Sequence, residues 1–158
     1  MLTAGVIGAA VLVLLLMVIF GRGKHKGLAP MSKEQLGRLE DPLLLVVDDS
    51  STIQKVVELT FVGGDLKTVG VSSSEEALEF LRMREFVAAL VDVHSPPEHG
   101  YDLCAEMKRQ APEMPVVLLV GAFEPFDQDR FESSGADKVI KKPFDTTDLR
   151  STVEKLMT

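Results

Sequence analysis

Cysteine is scarce in this sequence of 158 residues, and its 17 basic residues are fewer than its 24 acidic residues. Cys104 is its only cysteine, so an intramolecular disulfide is impossible, which fits a reducing compartment. Cys104 falls on the apolar stripe of a predicted helix, and we interpret it as a buried structural thiol. The formal net charge is −7, and the part after residue 41 holds 12 basic and 21 acidic residues. This acidic excess argues against nucleic-acid binding.

Charge is missing altogether from the segment between Leu2 and Phe20. As a helix, these residues would span about 28 Å, close to the hydrocarbon thickness of a bilayer. A secretory signal peptide would have a basic region before such a segment and a small-residue cleavage site after it, and neither is present. A basic cluster follows instead, at Arg22, Lys24 and Lys26. We predict a single-pass transmembrane helix over 1–21 that contacts the lipid bilayer through residues 2–20. The alternative is a buried apolar helix.

The rest of the chain divides into a linker and one domain. Residues 22–41 form the predicted linker, with a capping box for a short helix beginning at Ser32. From residue 42, short apolar runs alternate with helical periodicity. Strands are predicted over 43–47, 66–71, 86–91, 115–120 and 138–140, and helices over about 51–62, 74–83, 100–110, 125–134 and 146–157. This alternation predicts an α/β domain over 42–158, and right-handed crossovers make its sheet parallel.

Acidic residues follow two of the predicted strands directly. Asp48 and Asp49 come after the first apolar run, and Asp92 comes after the third. In open α/β sheets, ligands bind at the carboxyl edge, where the strand order reverses. Three carboxylates gathered there would repel one another unless a hard divalent cation lay between them. The pattern therefore predicts a Mg²⁺ site, although Asp48 and Asp49 could instead simply cap the first helix.

The ordered set of motifs resembles the receiver domain of bacterial two-component response regulators. The acid pair at 48–49 resembles the one that closes the first strand of that family. Asp92, with Gly100 eight residues later, resembles the phospho-acceptor loop, and Lys142-Pro143 resembles the lysine motif after the fifth strand. The resemblance covers 42–158. It implies a flavodoxin-like, five-stranded parallel sheet in the order 2-1-3-4-5, with helices on both faces.

The resemblance also implies a role for each site residue. Asp92 would accept a phosphoryl group from a histidine kinase or phosphotransfer protein. Asp48, Asp49, Asp92 and the backbone carbonyl of His94 would hold Mg²⁺. Lys142 would pair with Asp92 and then with a phosphoryl oxygen, although the residues alone also allow an exposed surface lysine. The side chain of His94 is interpreted as an exposed loop residue. Such a module is a signalling domain and not an enzyme.

Two positions depart from the family's pattern. Val120 stands where the family has a Ser or Thr that bonds the phosphoryl group, and valine offers no donor. Val139 stands where the family has an aromatic ring that swings inward on activation. The lost hydrogen bond would weaken the activated state by about 1.5–3 kcal/mol, so we expect phosphorylation with atypical switching. Gly121 keeps a small residue next to Val120, which predicts open access to Asp92.

We therefore expect a membrane-tethered single-domain receiver, since no output-domain motif follows residue 157. It would lie on the cytoplasmic side of the inner membrane, because the basic cluster follows the apolar segment. It would dock a membrane or membrane-complex protein through the fourth helix, fifth strand and fifth helix. The alternative is a pseudo-receiver that serves as a constitutive scaffold or assembly subunit of a membrane complex. A phosphatase of the haloacid-dehalogenase type is disfavoured, because its two acids alternate with another residue.

Overall fold

The structure is a computed structural model, and it describes residue 32 and the ranges 42–94 and 100–158. The predicted transmembrane helix over 1–21 lies outside the described residues, as does the linker over 22–41 apart from Ser32. None of the described helices combines the length and the apolar character that a bilayer crossing requires.

Strands and helices alternate along the described part of the chain, as the periodicity predicts. The strands are β1 Leu43–Val47, β2 Lys67–Val71, β3 Ala88–Asp92, β4 Val116–Val120 and β5 Lys138–Lys141. The helices are α1 Ser51–Phe61, α2 Ser74–Met83, α3 Gly100–Gln110, α4 Gln128–Ser134 and α5 Thr146–Leu156. The largest boundary error concerns α4, which was expected to begin at Pro125. It begins later because the side chain of Asp127 accepts a hydrogen bond from the N–H of Arg130 and caps the helix there.

The strands form one parallel sheet in the order β2-β1-β3-β4-β5, which confirms the predicted flavodoxin-like fold. Every residue of β1, β3 and β4 is buried, because helices cover both faces of the sheet. The chain leaves β1 toward β2 on one side and returns to β3 on the other. The order therefore reverses between β1 and β3, and a crevice opens at their carboxyl ends.

Successive side chains of the strands enter two apolar layers on opposite faces of the sheet. One layer joins Leu44, Val46 and Leu90 to buried residues of α1 and α5. The other joins Leu45, Val47 and Val91 to residues of α2 and α3, and it includes the buried thiol of Cys104. The last predicted helix was expected to include Met157, but α5 ends one residue before it and Met157 is 39% exposed.

Gly100 lets α3 begin directly against the carboxyl end of β3. Its N–H donates a 3.2 Å hydrogen bond to the carbonyl of Val93. A Cβ added to Gly100 would overlap the main-chain oxygen of Asp92 and the Cα of Val93. Both neighbours are backbone atoms of the buried strand end, so they cannot move aside as a flexible side chain would. A residue without a Cβ is therefore required for α3 to pack where it does.

Gly100→Ala is expected to lower the free energy of unfolding by about 3 kcal/mol, because it overpacks backbone against backbone. Gly63→Ala is the matched control: that glycine has a φ of +84° but open space around it. Its cost is only the left-handed conformation, about 1 kcal/mol. Urea unfolding followed by circular dichroism measures both variants. Equal losses would contradict the steric role given to Gly100.

Candidate metal centre at the carboxyl edge of the sheet

Three carboxylates from two strand ends meet at the crevice between β1 and β3. Asp48 and Asp49 follow β1, Asp92 ends β3, and one oxygen from each lies within 4.8 Å of the other two. Asp48 is fully buried and Asp92 is 6% exposed, whereas Asp49 is exposed. The convergence predicted from the sequence is therefore present. The cluster has two acids at its base and one at its solvent side.

Asp48 is held rigidly by the backbone around it. Its N–H donates to the carbonyl of Val71 at 3.1 Å, which ties the end of β1 to the end of β2. Its Oδ1 accepts a 2.9 Å hydrogen bond from the N–H of Ser50. Ser50 is itself the N-cap of α1, because its side chain accepts from the N–H of Ile53. The alternative reading of Asp48 as the helix cap is therefore wrong.

Gln54 is a positioning residue that the sequence reasoning missed. From the first turns of α1, its Nε2 donates to the carbonyl of Asp48 at 2.7 Å and to the carbonyl of Val71 at 3.2 Å. It thus closes the gap between the ends of β1 and β2, just where the acid pair begins. Gly70 leaves room for it, because a Cβ there would overlap the amide of Gln54. A glycine inside a predicted strand was the available signal.

Lys142 supplies the positive charge of the site. Its Nζ lies 2.8 Å from Oδ2 of Asp48 and 3.1 Å from Oδ1 of Asp92, so it bridges both buried acids. The sequence predicted only the pair with Asp92. Its side chain is 20% exposed, which rules out the reading as a free surface lysine. Burial lowers the pKa of Lys142, but hydrogen bonding and charge from Asp48 and then Asp92 outweigh burial and raise its pKa above the ordinary value.

Asp92 sits where ionisation is costly. Burial raises the pKa of Asp92, the charge and hydrogen bond of Lys142 lower it, and the charges of Asp48 and Glu124 raise it again, with a net rise. Lys142 therefore does not fully offset the effect of burial and of the neighbouring acids on Asp92. An additional cation among them would lower the cost. The donor set consists of oxygen atoms only and carries several negative charges, which fits Mg²⁺.

Glu124 is a second residue that the sequence reasoning missed. It lies in the loop between β4 and α4, and its Oε2 accepts a 2.6 Å hydrogen bond from the N–H of Gly121. The same oxygen lies 3.1 Å from Nδ1 of His94. A Cβ added to Gly121 would overlap this carboxylate. The Glu124 side chain therefore fills the space that the missing Cβ of Gly121 leaves. The open access to Asp92 expected from this glycine stays a prediction.

The remaining residues singled out by the sequence are His94, Val120 and Val139. The side chain of His94 is exposed, as expected, and it pairs with Glu124. The proposed role of the His94 carbonyl as a metal ligand stays a prediction. Val120 is fully buried at the end of β4, and Val139 packs, partly buried, against the core. Neither residue offers a hydroxyl or a ring at the site.

Comparison with known proteins gives one family. The family model for the response regulator receiver domain matches residues 44–154. The response regulator SaeR of Staphylococcus aureus is 30% identical over 115 residues, which cover 73% of this chain and 50% of that protein. The chain spans about half the length of the curated relatives it matches.

Solved structures give the same likeness. A response regulator from Thermotoga maritima superposes with a TM-score of 0.65 at 25% identity, covering 74% of this chain and 98% of that one. NtrX from Brucella abortus superposes with a TM-score of 0.67 at 26% identity, covering 74% of this chain and 26% of that one. The similarity therefore covers the α/β domain with its carboxylate cluster.

Lys142→Met is expected to lower the free energy of unfolding by about 3 kcal/mol without added metal, because it leaves two buried acids unpaired. Mg²⁺ is expected to restore part of this loss by taking over the charge compensation. Lys141→Met is the matched control, since Lys141 is the exposed neighbour at the end of β5. Thermal unfolding with EDTA and with Mg²⁺ measures both variants. A similar loss in the two variants would contradict the bridging role.

Proposed function

Since the chain belongs to the response regulator receiver family, we propose that Asp92 accepts a phosphoryl group from a histidine kinase or a phosphotransfer protein. Receiver domains are signalling domains, so the domain would act through its phosphorylation state and not by turning over a substrate. The main support is the carboxylate cluster: three acids whose oxygens lie within 4.8 Å, with Lys142 bridging the two buried ones.

The residues around Asp92 suit an in-line transfer to a carboxylate. One oxygen of Asp92 forms a bond to phosphorus while the bond between phosphorus and the donor's histidine nitrogen breaks. The electron pair of that bond stays on the departing ring nitrogen. Nζ of Lys142 lies 3.1 Å from Oδ1 of Asp92 and can then form an ion pair with a phosphoryl oxygen. Asp48 keeps the ammonium group in place during this exchange, since it binds the same Nζ at 2.8 Å.

The proposed cofactor is Mg²⁺. The carboxylates of Asp48, Asp49 and Asp92 and the backbone carbonyl of His94 would hold it, and its charge would offset repulsion between Asp92 and the phosphoryl oxygens. The exposed position of Asp49 leaves a solvent side to the cluster. Because Asp48 and Gln54 lock the end of β1, the residues need little rearrangement before they bind the ion.

The proposed output is protein docking with atypical switching. Phosphorylation would change the surface of α4, β5 and α5, where a membrane or membrane-complex protein would bind. Val120 has no hydroxyl to follow a phosphoryl oxygen, and Val139 has no ring to reorient. These two residues also favour the alternative, a pseudo-receiver that acts as a constitutive scaffold or assembly subunit.

We also propose that residues 2–20 tether the domain to the inner, cytoplasmic membrane, with the receiver in the cytoplasm. The support comes from the sequence: an uncharged apolar segment long enough to span a bilayer, followed by three basic residues. A tethered receiver would meet partners that lie in the membrane plane at a raised effective concentration.

Incubation of the full chain with acetyl phosphate and Mg²⁺ is expected to add one phosphoryl group, detected by intact-mass spectrometry. Asp92→Asn is expected to abolish the added mass, because an amide is not a nucleophile toward phosphorus, and EDTA is expected to suppress it. Asp65→Asn, which changes an exposed acid in the loop after α1, serves as the control. No added mass in the wild-type protein, or added mass that persists in Asp92→Asn, would favour the pseudo-receiver.

The tether is tested by cell fractionation. The full chain is expected to sediment with membranes and to resist extraction by alkaline carbonate, whereas a chain lacking residues 2–20 is expected to move to the soluble fraction. Charge reversal at Arg22, Lys24 and Lys26 should change the orientation reported by a protease-protection assay. Recovery of the intact chain in the soluble fraction would overturn the tether.

A further inference from the structure

The N–H of Gly121 is a hydrogen-bond donor at the carboxyl end of β4, the strand that lies between β3 and β5. β4 runs between β3 and β5, and Asp92 pairs in register with Leu119 on β4. On the other side, the N–H of Lys142 donates a 2.8 Å hydrogen bond to the carbonyl of Val120. Gly121 directly follows the last residue of β4, so its N–H lies at the same carboxyl edge of the sheet as both groups.

Glu124 engages this donor through a reciprocal pair of hydrogen bonds. The N–H of Glu124 donates to the carbonyl of Gly121 at 3.2 Å, and the N–H of Gly121 donates to Oε2 of Glu124 at 2.6 Å. His94 approaches the same oxygen with Nδ1 at 3.1 Å. The carboxylate is therefore held from two directions, and its side chain keeps 31% exposure toward solvent. A bond between a backbone donor and a carboxylate is of the stronger, charge-assisted kind.

A phosphoryl group on Asp92 would compete with this arrangement for the same donor. A phosphoryl group presents three acceptor oxygens and further negative charge. Lys142 can serve one oxygen, but the side chain of Val120 offers no donor. The backbone donor at the end of β4 is the N–H of Gly121. One N–H cannot form full hydrogen bonds to the Glu124 carboxylate and to a phosphoryl oxygen at the same time. The charge of Glu124 also reaches Asp92, since it contributes to the raised pKa of that residue.

We propose that Glu124 is an internal carboxylate competitor, which occupies the phosphoryl position at Gly121 and must swing out before Asp92 can be phosphorylated. This inference rests on the proposed function of Asp92. Glu124 acts as a positioning residue and sets how readily the site accepts a phosphoryl group. His94 stabilises the inward position. In the resting state, the loop from Gly121 to Glu124 thus places a carboxylate at the phosphoryl position. Val120 provides no hydroxyl there.

Phosphorylation kinetics of the full chain test this competitor. At a subsaturating concentration of acetyl phosphate with Mg²⁺, Glu124→Ala is expected to be phosphorylated about ten-fold faster than the wild type, the scale of one lost charge-assisted hydrogen bond. Glu124→Gln is expected to gain less, because its amide oxygen still accepts from Gly121 without the charge. Glu113→Gln, an exposed acid in the turn after α3, is expected to match the wild type. Circular dichroism checks that each variant is folded.

A second readout follows the hydrogen bond itself. In ¹⁵N–¹H spectra recorded without phosphodonor, the amide of Gly121 is expected to move upfield and exchange faster in Glu124→Ala, but not in Glu113→Gln. Rates and Gly121 shifts that equal the wild type in both Glu124 variants would overturn the competitor and leave the proposed function standing. Failure of every variant and of the wild type to be phosphorylated would overturn the proposed function, and this inference with it.

Discussion

The whole site depends on one ammonium group between two buried carboxylates. Lys142 binds Asp48 and Asp92 at once. These acids lie at the ends of β1 and β3, which pair with each other but not with β5. Two unpaired carboxylates at this depth would destabilise the crevice, so the lysine is a condition for placing them there. The bridge also explains how acidic residues can stand at the ends of strands that are buried along their whole length. Asp48, Asp92 and Lys142 therefore form one charged unit, although residues 48 and 142 are 94 positions apart.

Backbone geometry supports this unit from three sides. Gln54 joins the ends of β1 and β2, Gly100 brings α3 against the end of β3, and Lys142 is tied by its N–H to β4. Each contact restrains main chain and not only a side chain. The acids are therefore held in place by the sheet and its helices. Glu124 differs from these acids, because it lies in the loop between β4 and α4, where the N–H of Gly121 and Nδ1 of His94 hold its carboxylate.

Sequence reasoning predicted the fold well because its signals are local. Short apolar runs, helix caps and strand-end acids each occupy a few neighbouring residues, and strand order followed from the family resemblance. Convergence of Asp48, Asp49 and Asp92 was also predictable, since parallel strands end at one edge. The roles of Gln54 and Glu124 were missed, because they arise from contacts made through the fold with Val71 and His94. Gly70, inside a predicted strand, was the one signal for Gln54. The second contact of Lys142, with Asp48, was missed for the same reason: spacing indicates which strand end a residue follows but not which oxygen it reaches.

The position of β5 determines which part of the sheet the lysine bridge connects to the acids. β5 is an edge strand of four residues, none of them fully buried, whereas β1, β3 and β4 are buried along their whole length. Lys142 comes immediately after it. Any change in the charge of Asp92 alters the electrostatic attraction on this ammonium group, which follows an edge strand. The ammonium group of Lys142 therefore couples one edge of the sheet electrostatically to the buried acids at its centre.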